Sequence, residues 1–184
     1  DAFGAEISTK KEGKKKIIKI NGKNELVSKN IDVPSDLSSS AFFIVSALIN
    51  NNSKLLLKNI NINPTRTGLL IALEKMGAKI SLVNKRTSNN EYICDIEVFS
   101  SDLHGCELDS NFAKLMIDEY PIISIAASFA KSPSIFRGLG ELRVKESDRL
   151  NLINLNLQRC GVNSNIEGDD LYIKPNNQYK IINN

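Results

Sequence analysis

Histidine occurs once in these 184 residues and cysteine three times, and that scarcity narrows the functional classes at the outset. His104 sits in a Leu-His-Gly loop with no ligand-like neighbour, which argues against a metal centre. Cys94, Cys106 and Cys160 lack the close paired spacing of zinc sites, and an odd number argues against a disulfide scaffold. They fit a reducing compartment, each as a small buried hydrophobe. No apolar run approaches the roughly 20 residues that a membrane span needs, so no membrane partner is expected. The formal charge of +3 is too small to indicate nucleic acid by itself. One basic run exists, Lys10 to Lys16, but no aromatic side chains interleave it to stack bases. The chain begins without methionine, so a missing targeting segment carries no information.

What is present suits a globular α/β (α+β) protein of one large or two small domains. Hydrophobic residues make up 41% and charged residues 24%, enough apolar material for a core. Residues Asp1 to Ile7 read as a helix tail, a glycine cap and the start of a strand, so the chain opens inside a unit. The basic run, Ile18, Ile20 and Asn21-Gly22 then read as a β-meander with a charged turn.

An apolar helix from Ala41 to Ile49 follows, with Asp36 or Ser38 as its N-cap. Lys54 to Ile60 is a strand, and Asn63 to Gly68 opens a second helix that stops at Gly77. Ala78 to Val83 is a strand, Asn84 to Asn90 a polar turn, and Tyr92 to Val98 another strand. The second half replays this order. Asp118-Glu119-Tyr120-Pro121 starts an apolar helix through Phe129. Ser134 to Arg137 is a short strand, a helix runs from about Glu146 to Arg159, and Leu171 to Lys174 closes as a strand.

Helix-end glycines at Gly4, Gly77 and Gly161 fall at near-equal intervals. Each unit therefore reads helix, strand, helix, strand, strand, an internal repeat cut at both ends.

The stretch Gly140 to Leu150 is the densest in chemistry. It sets Arg143, Lys145 and Arg149 among Glu141, Glu146 and Asp148, after a glycine-punctuated turn. On a helix Glu146, Lys145 and Arg149 share a face. Cations beside a helix N-terminus favour anions, and a carboxylate among them can move protons. The plainer reading is a solvated helix start with intrahelical ion pairs.

Glu141-Leu142-Arg143-Val144-Lys145-Glu146-Ser147-Asp148-Arg149-Leu150 resembles the signature of the 5-enolpyruvylshikimate-3-phosphate (EPSP) synthase family. Asp36 with Ser38 to Phe43, Asn63-Pro64-Thr65-Arg66-Thr67-Gly68 and Met116 to Pro121 agree in the same order. The Asn-Pro-Thr-Arg-Thr-Gly and Asp-Glu-Tyr-Pro forms resemble the bacterial branch with glyphosate-tolerant members. Ser35 departs from the family's usual glycine.

The resemblance implies an inside-out α/β barrel of two three-repeat domains, incomplete here, with the site in the cleft between them. Residues 1–31 would end the last repeat of one domain, 32–100 form the first repeat of the other, 101–175 its second, and 176–184 start a truncated third. It implies transfer of the enolpyruvyl group of phosphoenolpyruvate to the 5-hydroxyl of shikimate-3-phosphate, in a cytoplasmic monomer with neither metal nor organic cofactor.

On the matching positions, Asp118 would contact the shikimate hydroxyl and accept its proton. Glu146 would handle the proton at the methylene carbon, a task that favours a pKa raised toward neutrality. Lys145 would hold shikimate-3-phosphate and Arg149 phosphoenolpyruvate, with Arg143 and Asp148 orienting them. Arg66 reads as structural, with phosphate binding as the alternative.

Two other readings compete. A UDP-sugar enolpyruvyl transferase shares the repeat but lacks this Lys-Glu-Ser-Asp-Arg arrangement. A non-catalytic anion-binding fragment fits a chain that holds only part of the family's site.

Overall fold

The computed structural model describes residues 3–175, and the expected third-repeat start at 176–184 lies outside them. The first elements are the strands β1 (Glu6–Glu12) and β2 (Lys15–Asn21), paired antiparallel. Gly13 turns the chain at φ 58°, a left-handed conformation that glycine adopts without penalty. The expected meander is a two-stranded hairpin, because no strand forms between Asn21 and the first helix. Ile7 and Ile20 pair across it and both stay exposed.

The first repeat then runs α1 (Leu37–Ile49), β3 (Lys54–Asn61), α2 (Gly68–Lys75), β4 (Lys79–Ser88) and β5 (Glu91–Phe99). Asp36 is the N-cap of α1: its carboxylate accepts the Ser39 N–H at 2.6 Å, satisfying a donor that the helix cannot. The sheet order is β3-β5-β4, all antiparallel, with β5 central.

The polar turn expected over Asn84 to Asn90 is instead mostly strand. β4 continues to Ser88, leaving Asn89 and Asn90, both at positive φ, as the turn. The cause lies on the neighbouring strand. Asp95, on β5, accepts the Asn59 N–H and the Asn84 side-chain amide, each at 2.9 Å. Those contacts hold a register shift in both flanking strands and carry β4 past its polar residues.

The second repeat contains β6 (Glu107–Leu108), α3 (Ala113–Met116), a 3₁₀ turn (Ile117–Glu119), α4 (Tyr120–Ser128) and β7 (Ser134–Phe136). A second 3₁₀ turn (Gly140–Val144), α5 (Arg149–Arg159), β8 (Asn163–Glu167) and β9 (Asp170–Lys174) complete it. Its sheet order is β6-β7-β9-β8, with β6 parallel to β7. In the first repeat Ser35 takes the place of β6, bridging Ile60 in parallel. Both sheets thus share one topology.

The helix expected from about Glu146 begins at Arg149. Asp148 caps it, accepting the Asn151 N–H at 3.0 Å, and Lys145 is extended at φ −74°, ψ −163°. A capping carboxylate at this position ends the preceding non-helical segment rather than continuing it.

One core joins the repeats. Ile44, Val45 and Leu48 of α1 and Ile123, Ala126 and Ala127 of α4 are all buried in it, and the two helices pack together. Phe42, Phe43, Ile125, Leu152 and Leu155 remain exposed along α1, α4 and α5. Gly68, at the start of α2, lets α3 approach so closely that an added Cβ would lie 2.8 Å from the Leu115 Cβ and 2.9 Å from its carbonyl carbon.

Gly68→Ala is expected to cost about 1–3 kcal/mol through that clash, read as a lower urea midpoint at unchanged slope. Asp36→Ala is expected to cost about 1 kcal/mol through the lost cap, measured in the same way.

Candidate active site

The charged stretch that is continuous in sequence divides into three local structures. The 3₁₀ turn is fastened from behind by Arg143, which donates to Asp169 at 2.9 Å and to the Gly168 carbonyl at 2.6 Å. Arg143 also meets the capping Asp148 at 3.4 Å. Both residues therefore set the path of the turn and the start of α5. Lys145 stands exposed on the extended segment between them, with no hydrogen bond or ion pair among the described residues.

Arg149 is the centre of the arrangement. Its guanidinium donates to Asp118 at 3.1 Å and to Glu146 at 2.5 Å, holding together two carboxylates 28 positions apart in sequence. Its side chain is 31% exposed, against 49% for Asp118 and 77% for Glu146, so the pair opens to solvent from an anchored cation. A planar fork suits this bridging, with one terminal nitrogen to each carboxylate.

Glu146 is held below the ordinary glutamate range by its own backbone N–H and then by Arg149. The sequence expectation of a raised pKa is therefore not met. Desolvation, which would raise it, is outweighed at this exposed position by the backbone donor and the guanidinium, which stabilise the charged form.

Asp118 opens the motif that starts an apolar helix, a place where a carboxylate can accept backbone N–H groups as a cap. Glu119 occupies the cap position of α4 without a side-chain cap bond, and Asp118 is bonded by Arg149 instead. The 3₁₀ turn before Tyr120 moves the helix start past Asp118 and turns its carboxylate outward.

Glu119 was not singled out in the sequence, yet it is the buried carboxylate of the site, 5% exposed. Ser38 of α1 donates to it, and Arg66 donates to the Ser38 hydroxyl at 3.0 Å. No local pattern marks this triplet, because its members come from three separate helix starts. Tyr120, next in the same motif, is a core residue: fully buried, it meets Phe136 edge-on at 5.7 Å. Asp36, two residues before Ser38, titrates below the ordinary range: slight burial opposes this, and the Ser39 and Ser38 donors outweigh it.

Among the described residues no group of three or more His, Cys, Asp or Glu could hold a metal ion. No described helix is long and apolar enough to cross a membrane.

Comparison with known proteins places this geometry. The fold is that of the enolpyruvyl transferases: the structure of NikO from Streptomyces tendae superposes with a TM-score of 0.58 at 14% identity, over 94% of this chain and 37% of that one. Nearer likenesses narrow the class. An EPSP synthase structure from Acinetobacter baumannii matches with a TM-score of 0.86 at 39% identity, over 96% of this chain and 39% of that one. The 3-phosphoshikimate 1-carboxyvinyltransferases of Acidiphilium cryptum and Rhizobium johnstonii are 43% and 44% identical over 172 residues, 94% and 93% of this chain. The family description EPSP synthase (3-phosphoshikimate 1-carboxyvinyltransferase) matches residues 1–181, and the chain belongs to that family. It spans 39% and 38% of the length of those two curated relatives.

Because the folded pKa of Glu146 is depressed, its contribution to stability is present above the ordinary value of 4.5 and is lost as pH falls through the folded value. Arg149→Met is expected to raise the Glu146 pKa part of the way back, since the backbone donor remains. Carboxyl-resolved NMR titration would show this, and an unchanged midpoint would contradict it.

Proposed function

We propose that these residues form the proton-handling part of an enolpyruvyl transfer from phosphoenolpyruvate to the 5-hydroxyl of shikimate-3-phosphate, with release of phosphate. The observation that carries the reading is Arg149 bridging Asp118 and Glu146 beside the exposed Lys145. Asp118, an exposed carboxylate, accepts the hydroxyl proton as the C–O bond forms. Glu146 delivers a proton to the methylene carbon, giving the tetrahedral intermediate, and takes a proton back from the resulting methyl group as phosphate leaves and the double bond re-forms.

Glu146 is ionised as the structure stands, so it must gain a proton before this step. Two changes favour that gain: desolvation by bound substrate, and withdrawal of Arg149 onto an anionic phosphate or carboxylate. Lys145 and Arg149 hold substrate anions, Arg149 with a fork that grips two oxygens at once. Arg143 and Asp148 keep the segment in place.

Within this reading, residues 1–31 finish the last repeat of one domain, and 32–100 and 101–175 are the first and second repeats of the other. A third repeat, beginning at 176–184, would cover the apolar face of Phe42, Ile125 and Leu152. The complete enzyme would act as a cytoplasmic monomer.

Since the chain spans 39% of its relatives, the isolated 184 residues are expected to bind substrate anions weakly and turn over nothing. Phosphate release by the purified chain alone would contradict that expectation. In the complete open reading frame containing these residues, Glu146→Gln and Asp118→Asn are each expected to lower kcat by roughly 10²–10⁴-fold. A folded, complete protein that releases no phosphate would favour the non-catalytic anion-binding reading instead.

A further inference from the structure

Arg66 has no place in the chemistry above, yet it heads a chain of hydrogen bonds that crosses from the first repeat to the second. Its Nη2 donates to Ser38 Oγ at 3.0 Å, and the Ser38 hydroxyl in turn donates to Glu119 Oε1. The direction is fixed chemically. A guanidinium only donates, an ionised carboxylate only accepts, and the hydroxyl has one proton to pass on. In such a chain each bond polarises the next, so the charge on Arg66 is felt at Glu119.

Glu119 needs that support. It is 5% exposed, and a carboxylate so buried is costly unless paired or hydrogen-bonded. Ser38 lies in the first turn of α1, where the helix dipole also favours negative charge. Glu119 belongs to the 3₁₀ turn Ile117–Glu119, in which successive side chains point about 120° apart. Anchoring Glu119 inward therefore sets the direction of Asp118, whose carboxylate points out to Arg149 at 3.1 Å. Through Arg149 the constraint reaches Glu146.

We propose that Glu119, held by Ser38 and Arg66, is a positioning residue that aims Asp118 and, through Arg149, Glu146. Arg66 thereby contributes to the reaction without touching substrate. The proposal rests on the enolpyruvyl-transfer reading for its kinetic consequence, but its geometric content stands apart.

The test uses Arg66→Met, Arg66→Lys and Glu119→Gln, read in two ways. In the complete open reading frame, Arg66→Met is expected to lower kcat about tenfold to a hundredfold while KM stays within about threefold, because misplacement of a reacting group acts on the chemical step. The pH profile of kcat should shift on the limb governed by Asp118. Arg66→Lys should recover part of the loss, and Arg66→Met should melt below the parent temperature, because it withdraws a cation from the chain that holds the buried Glu119.

In the 184-residue chain, the carboxyl carbon signal of Asp118 should change in shift and titration midpoint in both Arg66→Met and Glu119→Gln. A kcat for Arg66→Met within about twofold of the parent would overturn the proposal, since a displaced base is felt strongly. So would an Asp118 signal identical to the parent's in both variants. If the parent protein itself lacks enolpyruvyl transfer, the functional reading fails, and the Asp118 signal alone decides the positioning claim.

Discussion

The packing of α1 against α4 is the constraint on which the rest of this structure depends. Each repeat packs its helices on its own sheet, and the apolar residues that the sheet leaves uncovered are buried between α1 and α4, so the two units share a core. Ala41, Ala126 and Ala127, all buried, keep the side chains at this contact small, while Ile44, Leu48 and Ile123 fill the space around them. Once those helices are locked, their beginnings lie together. The starts of α1, α2, α4 and α5 then contribute Ser38, Arg66, the Asp118–Glu119 pair and Arg149 to two sets of hydrogen bonds that meet at the adjacent Asp118 and Glu119.

That placement explains why the charges matter more for geometry than for stability. Exposed ion pairs of this kind contribute little to folding, because water and salt screen them and side-chain entropy opposes them. Arg143, with Asp169 and Gly168, holds a turn in place. Arg149 does something different: it ties two carboxylates from separate elements to one cation. Glu119 is the exception to exposure. Its burial makes the contact between repeats both a packing event and an electrostatic one.

Much of this was legible in the chain itself. The recurrence of Gly77 and Gly161 at helix ends, each at positive φ, marked the repeat, because only glycine reaches that conformation without cost. The apolar helices and the central strand β5 followed from their hydrophobic periodicity. The misreadings came where a distant residue overrode a local preference. Asn84 to Ser88 has turn chemistry, but Asp95 on the next strand draws it into β4. Glu146 to Asp148 looks like the first turn of a helix, but a 3₁₀ turn pinned by Arg143 and the Asp148 cap delay α5 to Arg149.

The candidate site divides in the same way. The residue types, their motif spacing and the family they point to are properties of the sequence alone, since reactive groups and helix caps are written locally. So is the closeness of Glu146 to Arg149, three positions apart. Which carboxylate faces solvent and which is buried was decided only by the tertiary structure. Asp118 and Glu119 are chemically alike and adjacent, and nothing local separates them. The 3₁₀ turn rotates one toward Arg149 and the other toward Ser38 on a helix 81 residues away in the chain. The lowered pKa of Glu146, by contrast, is local: its own backbone N–H and Arg149, three positions away, hold its charged form.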